Sequence, residues 1–327
     1  MGRNQIYLKI LQVSKETGIP TKKVMDIFYF LHTGKPVDNH ELLMKVGISK
    51  NAINQIKKAL RSLLNDVSRN TQLKKNVRQD MQTLFATDYK IEDELYSALG
   101  GESFEKIINL LEKCSDLRPA AKREYDQFTA TIETTAKRAV LLQFFEDIAG
   151  KRILFLGDND FTSVAISRYR RAAEIAVLDI DTRILNNIGK ASKQQSFNIT
   201  TVAYDARKQF PKKLSGKFDV VFTDPPYTPN GITLFVSRAI DSLDKTNQSA
   251  RVYVCYGTSD KAKERFLPIY RAFLDLGLMI RWVFDKFNRY KGAESIGNTS
   301  TLFVCEVTPK TKSLIHGNYE KTIYTFN

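Results

Sequence analysis

Cysteine and histidine are scarce in this sequence, with three of each in 327 residues. Cys114, Cys255 and Cys305 are too few and too scattered for a disulfide framework or a zinc site. His32, His40 and His316 lack metal-ligand spacing. These absences predict a reducing, cytoplasmic setting with no metal and no prosthetic group. No run approaches the ~18 consecutive apolar residues of a membrane span, so membrane insertion is not expected. The opening segment MGRNQIYLKILQVSKE lacks the apolar core and cleavage site of a signal peptide. Ile6 also stands where a myristoylation signal wants Ser or Thr.

What is present is an ordinary globular composition, 43% hydrophobic and 26% charged, long enough for two compact domains. The net charge of +14 is unevenly spread. Residues 1–80 hold 15 Lys and Arg against 6 Asp and Glu, whereas the remainder holds 35 against 30. A basic N-terminal face suits nucleic acid, and it suits a solvated helical surface equally well.

The chain divides by pattern. Residues 1–65 read as helices in a winged-helix-like domain. Ser14 begins a helical entry, Gly18-Ile19-Pro20 turns, and Val24, Ile27, Phe28 and Leu31 keep helical spacing. Two helices then flank a turn at Gly47, the second capped by Ser49, as in a helix-turn-helix. Such a domain also serves simply for packing or dimerisation. Residues 66–125 form a polar, helix-rich connector broken at Gly100-Gly101. From 126 to 327 a helix over 131–145 leads into alternating strands and helices. The strands are KRILFLGD, EIAVLDID, NITTVAYD, FDVVFTD and ARVYVCYG, with later ones near 278–284 and 300–307. The intervening helices cover 161–173, 182–195 and 230–244. That alternation predicts an α/β fold, a Rossmann-like parallel sheet of the methyltransferase type, with ligands at the carboxyl ends of the strands.

Four consecutive strands end in carboxylates. The most informative end is Asp224-Pro225-Pro226-Tyr227. Its prolines remove two backbone donors and stiffen the exit from the sheet. Carbonyls, the Asp224 carboxylate and the Tyr227 ring are left to grip an amino group, which points to alkyl transfer onto nitrogen. The first strand ends in Gly157-Asp158-Asn159-Asp160, one glycine and two acids where an S-adenosylmethionine site is glycine-rich. These acids would repel the carboxylate of S-adenosylmethionine and attract the aminopropyl tail of its decarboxylated form. Each such pair is worth about 4 kcal/mol at ~4 Å and an effective dielectric of ~20. Asp179, ending the second strand, is placed for ribose hydroxyls, with Asp181 structural. Asp205-Ala206-Arg207 ends the third, near where adenine would lie. Any one of these acids is equally well a helix N-cap; four in succession are a site.

Five segments together resemble a known family, the branched-chain polyamine synthases, or N(4)-bis(aminopropyl)spermidine synthases. They are YDQFTATIETTAKRA (125–139), ILFLGDNDFTS (153–163), VLDID (177–181), KFDVVFTDPPYTPNGITLFVSRAI (217–240) and YKGAESIGNTSTLFV (290–304). The resemblance implies aminopropyl transfer from decarboxylated S-adenosylmethionine to the secondary amine of spermidine, releasing methylthioadenosine, by a homodimer. It implies that Asp160, Asp224 and Tyr227 act in catalysis. Asp160, Asp224, Pro226 and Tyr227 would bind the acceptor, while Gln127, Gly157, Asp158, Asp179, Asp205 and Ala206 would bind the donor. Thr131 also matches. Asn159 replaces the middle of three aspartates in that family, which predicts weaker hold on a polycation. Two rival readings use the same residues: an amino methyltransferase acting on nucleic-acid bases through the basic N-terminal domain, and a DNA-binding regulator with an inactive transferase domain. Nucleic acid as a partner is the less favoured expectation.

Overall fold

In the computed structural model, residues 3–67, 69–85 and 89–325 are described, so Met1 and Gly2 of the opening segment lie outside them. The chain forms two compact units. The first comprises residues 1–99 with two short returns, 144–147 and 246–249. The second holds everything else. This partition differs from the expected breaks near 65 and 125. The connector does not stand apart, because residues 66–99 join the N-terminal unit and residues 100–125 the sheet-bearing one.

In the first unit, α1 (Arg3–Thr17) and α2 (Thr21–Leu31) precede a short β1 (Val37–Asp38), α3 (Asn39–Val46), α4 (Lys50–Ala59), β2 (Leu64–Val67) and β3 (Asn70–Leu73). Two short helices, α5 (Arg78–Leu84) and α6 (Leu95–Ala98), follow. The sheet order β1-β3-β2 with the α3–α4 pair is a winged helix. The wing itself, β2–β3, straddles the expected boundary at 65 and replaces the start of the expected helix-rich connector, because its polar LNDV and NTQL hide strand alternation. Ser14 does not open a helix. It lies inside α1, and the left-handed Gly18, whose amide reaches Ser14 O, closes that helix instead. Asp38 and Ser49 cap α3 and α4 through their side chains, the latter as expected.

In the second unit, α7 (Glu102–Lys113), β4 (Thr129–Ala130) and α8 (Ile132–Phe144) lead to β5 (Arg152–Leu156), α9 (Thr162–Ser167), β6 (Glu174–Asp179), α10 (Thr182–Gln194) and β7 (Thr200–Ala203). Then come β8 (Val220–Thr223), α11 (Pro229–Ser242), β9 (Arg251–Tyr256), α12 (Phe266–Asp275), β10 (Met279–Lys291) and β11 (Thr299–Glu306). The eight-stranded sheet has the order β4-β10-β11-β9-β8-β5-β6-β7. β7, β6, β5, β8 and β9 run parallel, and β11 inserts antiparallel between β9 and β10. This is the expected α/β, methyltransferase-type arrangement. β10 is longer than expected and α9 shorter. The chain leaves β5 for β6 on one side and enters β8 on the other, so a crevice opens at the ends of β5 and β8.

Burial explains the parallel core. All residues of β8, β9 and β11 are buried, matching the near-continuous apolar runs of strands covered on both faces. In α10, Ile184, Leu185, Ile188 and Ala191 give the 3–4 spacing of a helix lying on that sheet. The helix α12 ends in a Schellman turn: Leu278 N reaches Phe273 O, Gly277 N reaches Leu274 O, and Gly277 has φ +71°. A Cβ on Gly277 would overlap the backbone of Lys310. Gly277→Ala is therefore expected to destabilise the fold by about 2 kcal/mol or more, read as a lowered midpoint in urea unfolding.

Residues 307–325 have no regular structure, yet they are tied down. Arg238 in α11, fully buried, donates to the carbonyls of Ala206 (2.9 Å), Ile315 (3.1 Å) and Gly317 (2.5 Å). Thr228 Oγ1 donates to Ile323 O at 2.7 Å, and Thr325 N to Asp126 Oδ2 at 2.8 Å.

Candidate active site

A pocket opens at the carboxyl ends of β5, β6 and β8. Gly157, Asn159, Asp179, Ala206, Asp224 and Pro226 line it, with Gln127 at its edge and Tyr125 and Tyr324 adding aromatic walls. Four of the six residues expected to bind the donor and two of the four expected to bind the acceptor thus line one cavity. Asp158, Asp160, Asp205 and Tyr227 are not among its lining residues.

The acidic turn after β5 is used internally. Asp158 accepts the amides of Thr162 (2.8 Å) and Ser163 (3.0 Å), so it caps the first turn of α9. Burial pushes its carboxyl up to about 7. Asn159 donates to Phe128 O at 2.7 Å, stitching this turn to the segment before α8. Asp160 is 2% exposed. It accepts from Ala130 N (2.7 Å), Arg138 Nη1 (2.8 Å) and Arg118 Nη2 (3.3 Å). Burial raises its carboxyl above the ordinary range, and the two arginines oppose that shift. Both acids therefore face protein donors.

At the end of β6, Asp179 is fixed by the amides of Asp181 (2.8 Å) and Asp158 (3.1 Å). Burial pushes it up to about 6. Asp181 is structural: it caps α10 through Arg183 N and pairs with the Arg183 side chain at 2.6 Å. Gln127 reaches it at 3.5 Å while accepting from Lys122 N. Asp205 pairs with Arg207 at 2.8 Å, and Ala206 rather than Asp205 lines the cavity.

The corner after β8 is the centre of the network. Asp224 Oδ2 accepts from Arg138 Nη2 (2.8 Å) and Tyr290 Oη (2.7 Å), and Oδ1 from Tyr227 Oη (2.8 Å). The Tyr227 and Tyr290 hydroxyls are 3.0 Å apart, and Tyr290 also meets Ser300 Oγ at 2.9 Å. Burial, then the Asp224 carboxylate, push both phenols well above their usual value, so both remain donors. The Tyr227 ring lies 5.5 Å from that of Tyr256 rather than along the cavity. The Pro226 carbonyl accepts Thr228 N, and Gly231 lets α11 approach, because a Cβ there would stand 2.6 Å from Pro226 O.

Four contributors went unnoticed in the sequence: Arg138, Arg118, Tyr290 and Asn288. Arg138 is 1% exposed and reaches Asn288 Oδ1 (2.7 Å) as well as both aspartates. A signal existed. Thr131, Thr134, Thr135 and Arg138 repeat at three- and four-residue spacing, a polar stripe that runs from the residue before α8 along one of its faces.

The sheet order and the pocket at the carboxyl ends of its strands define a methyltransferase-type architecture. Residues 106–326 match the family described as branched-chain polyamine synthase A C-terminal domain, and the chain belongs to that family. It is 33% identical to an uncharacterised protein of Methanocaldococcus jannaschii over 99% of this chain and 83% of that protein. It is 32% identical to the N(4)-bis(aminopropyl)spermidine synthase of the same organism, over 58% of this chain and 55% of the synthase. The corresponding enzyme of Thermococcus kodakarensis is also 32% identical, over 58% and 54%. The chain thus aligns with about half the length of these named synthases. In structure it resembles the branched-chain polyamine synthase of Thermus thermophilus, solved with N4-aminopropylspermidine and 5'-methylthioadenosine. The TM-score is 0.61 at 22% identity, covering 97% of each chain, which supports the fold. Among the described residues no helix is long and apolar enough to cross a membrane.

The Asp158 carboxyl carries a pH signature. Its folded value, about 7, lies above the ordinary ~4 of the unfolded chain, so the folded state holds a proton that the unfolded state releases between them. This group's contribution to stability therefore falls as pH rises from about 4 through about 7. Asp158→Asn is expected to flatten that slope at a cost of about 1 kcal/mol for the weakened cap. Urea unfolding at about pH 5, 6 and 7 checks it.

Proposed function

We propose that the chain moves an aminopropyl group from decarboxylated S-adenosylmethionine to the secondary amine of spermidine or a related polyamine, releasing methylthioadenosine. The observation that carries this reading is the single cavity joining Asp179 and Ala206, suited to a nucleoside, with Asp224 and Pro226, suited to an amine. The family and the named relatives support the same chemistry. Asp179 would accept from ribose hydroxyls, and the Tyr125 and Tyr324 side chains would cover the nucleoside.

The acceptor nitrogen would donate its N–H to Asp224 and direct its lone pair at the methylene beside the sulfonium. The C–N bond forms as the C–S bond breaks, and the bonding pair moves onto sulfur, giving a neutral thioether. The nitrogen carries the positive charge until its proton leaves. Positioning supplies most of the acceleration, and Asp224 holds the nitrogen in line. Tyr227 and Tyr290 would act through Asp224 by fixing its carboxylate. Asp160 would act at one further remove, through Arg138.

One observation favours a second reading, methyl transfer from intact S-adenosylmethionine to an amino group such as that of a nucleic-acid base. Asp158 and Asp160 spend their carboxylates on protein donors, which weakens the repulsion expected against the methionine carboxylate. Incubation with decarboxylated S-adenosylmethionine and spermidine, followed by mass spectrometry, should show aminopropylated spermidine and an equal amount of methylthioadenosine. A greater rise in melting temperature with intact than with decarboxylated S-adenosylmethionine would select the second reading. Under the first, Asp224→Asn is expected to lower kcat/KM about 10²-fold or more, measured below a melting temperature that itself falls because Arg138 loses one carboxylate partner, as kinetics and calorimetry would show.

A further inference from the structure

Asp224 is the acid of the amine-gripping corner that lines the cavity, yet it does not stand there as a free anion. A permanent guanidinium, Arg138, touches it at 2.8 Å and touches Asp160 at 2.8 Å on its other amino group. Arg138 is itself held by Asn288 from β10 and by Tyr290 Oη at 3.0 Å. The charged and titratable groups around it come from every neighbouring element: Asp160 from the turn after β5, Asp224 and Tyr227 from the corner after β8, Cys255 from β9, Tyr290 from β10, and Arg118 from the segment before β4. Two arginines face two aspartates, so the cluster is neutral in sum.

A lone carboxylate at this corner would draw in the acceptor as an ammonium ion, whose nitrogen has no lone pair to donate. A carboxylate already paired with a guanidinium offers that ion little, because the attraction of one is offset by the repulsion of the other. It still accepts a hydrogen bond from a neutral amine.

We propose that Arg138 is a positioning residue that makes this corner select the acceptor as its free amine, so that each polyamine bound releases about one proton to solvent. The inference rests on the aminopropyltransferase reading and specifies the form in which that site takes its substrate. Among polyamines and other amines, it favours acceptor nitrogens that surrender a proton readily near neutral pH, such as secondary amines flanked by other cationic centres.

The test begins with the unaltered protein. Spermidine is titrated calorimetrically into the protein saturated with methylthioadenosine near pH 7.5, in buffers of different ionisation enthalpy. The dependence of the observed heat on buffer enthalpy counts the protons, and the expected count is about one released per site. Binding without release overturns this role for Arg138 and leaves the proposed function standing. An absence of spermidine binding overturns both. In kinetics, the wild type should carry its pH dependence in KM for spermidine, because the bound amine is already neutral. Arg138→Gln should move that dependence into kcat, lowering kcat at least tenfold at pH 7 with KM unchanged or smaller. Arg138→Lys, which keeps the charge, should return it to KM. If Arg138→Gln fails to fold, the proton count and the Lys variant decide; a Lys variant with its pH dependence in kcat overturns the proposal.

Discussion

One buried cation organises this protein's catalytic half. Arg138 reaches Asp160 at the end of β5, Asp224 at the end of β8, and Asn288 and Tyr290 on β10. A guanidinium at 1% exposure is tolerable only when its donors are satisfied and its charge is met. Its planar fork suits that task, because two aspartates can be engaged by separate amino groups while Nε serves Asn288. Losing one partner from such a cluster leaves a buried charge uncompensated, typically 3–5 kcal/mol. The acidic turn, the amine corner and the long β10 strand are therefore held in register by one side chain, and each depends on the others.

That dependence explains why β10 and β11 belong to the site at all. The parallel strands β5, β6 and β8 present their carboxyl ends to the crevice, as in any sheet of this kind. β10 reaches it because it extends thirteen residues, far enough for Asn288 and Tyr290 to arrive beneath Arg138. β11 then brings Ser300 to Tyr290. The phenol of Tyr290 stands between Ser300 and Asp224, so the carboxylate that faces the pocket is fixed from behind by the antiparallel part of the sheet.

The parallel strands and their acidic ends were legible in the sequence because apolar runs of four to six residues closed by Asp are a local pattern. Asp224, Pro226, Gly157, Asp179 and Ala206 fall together around one cavity, and that followed from strand order alone. What was not legible is which way each carboxylate turns. Asp158 and Asp160 sit two residues apart in one turn, yet one caps α9 and the other meets arginines from positions 118 and 138. Nothing in GDND distinguishes an acid that faces a ligand from one that faces a distant arginine, because the partner lies at long sequence separation. The wing at 64–73 was missed for a different reason: its strands are short and polar, and only pairing with each other and β1 makes them strands.

The irregular final segment has a temporal consequence. Tyr324 walls the pocket, its ring tilted by 48° against that of Tyr125 at 6.0 Å, while Ile323 and Thr325 are anchored to Thr228 and Asp126. These residues are translated after every strand of the sheet. A nascent chain can therefore assemble its α/β core and its buried arginine cluster while the pocket still lacks the wall that Tyr324 supplies. One wall of the pocket is thus supplied by chain that follows the last strand, and its placement depends on the anchors at Thr228 and Asp126 rather than on strand pairing.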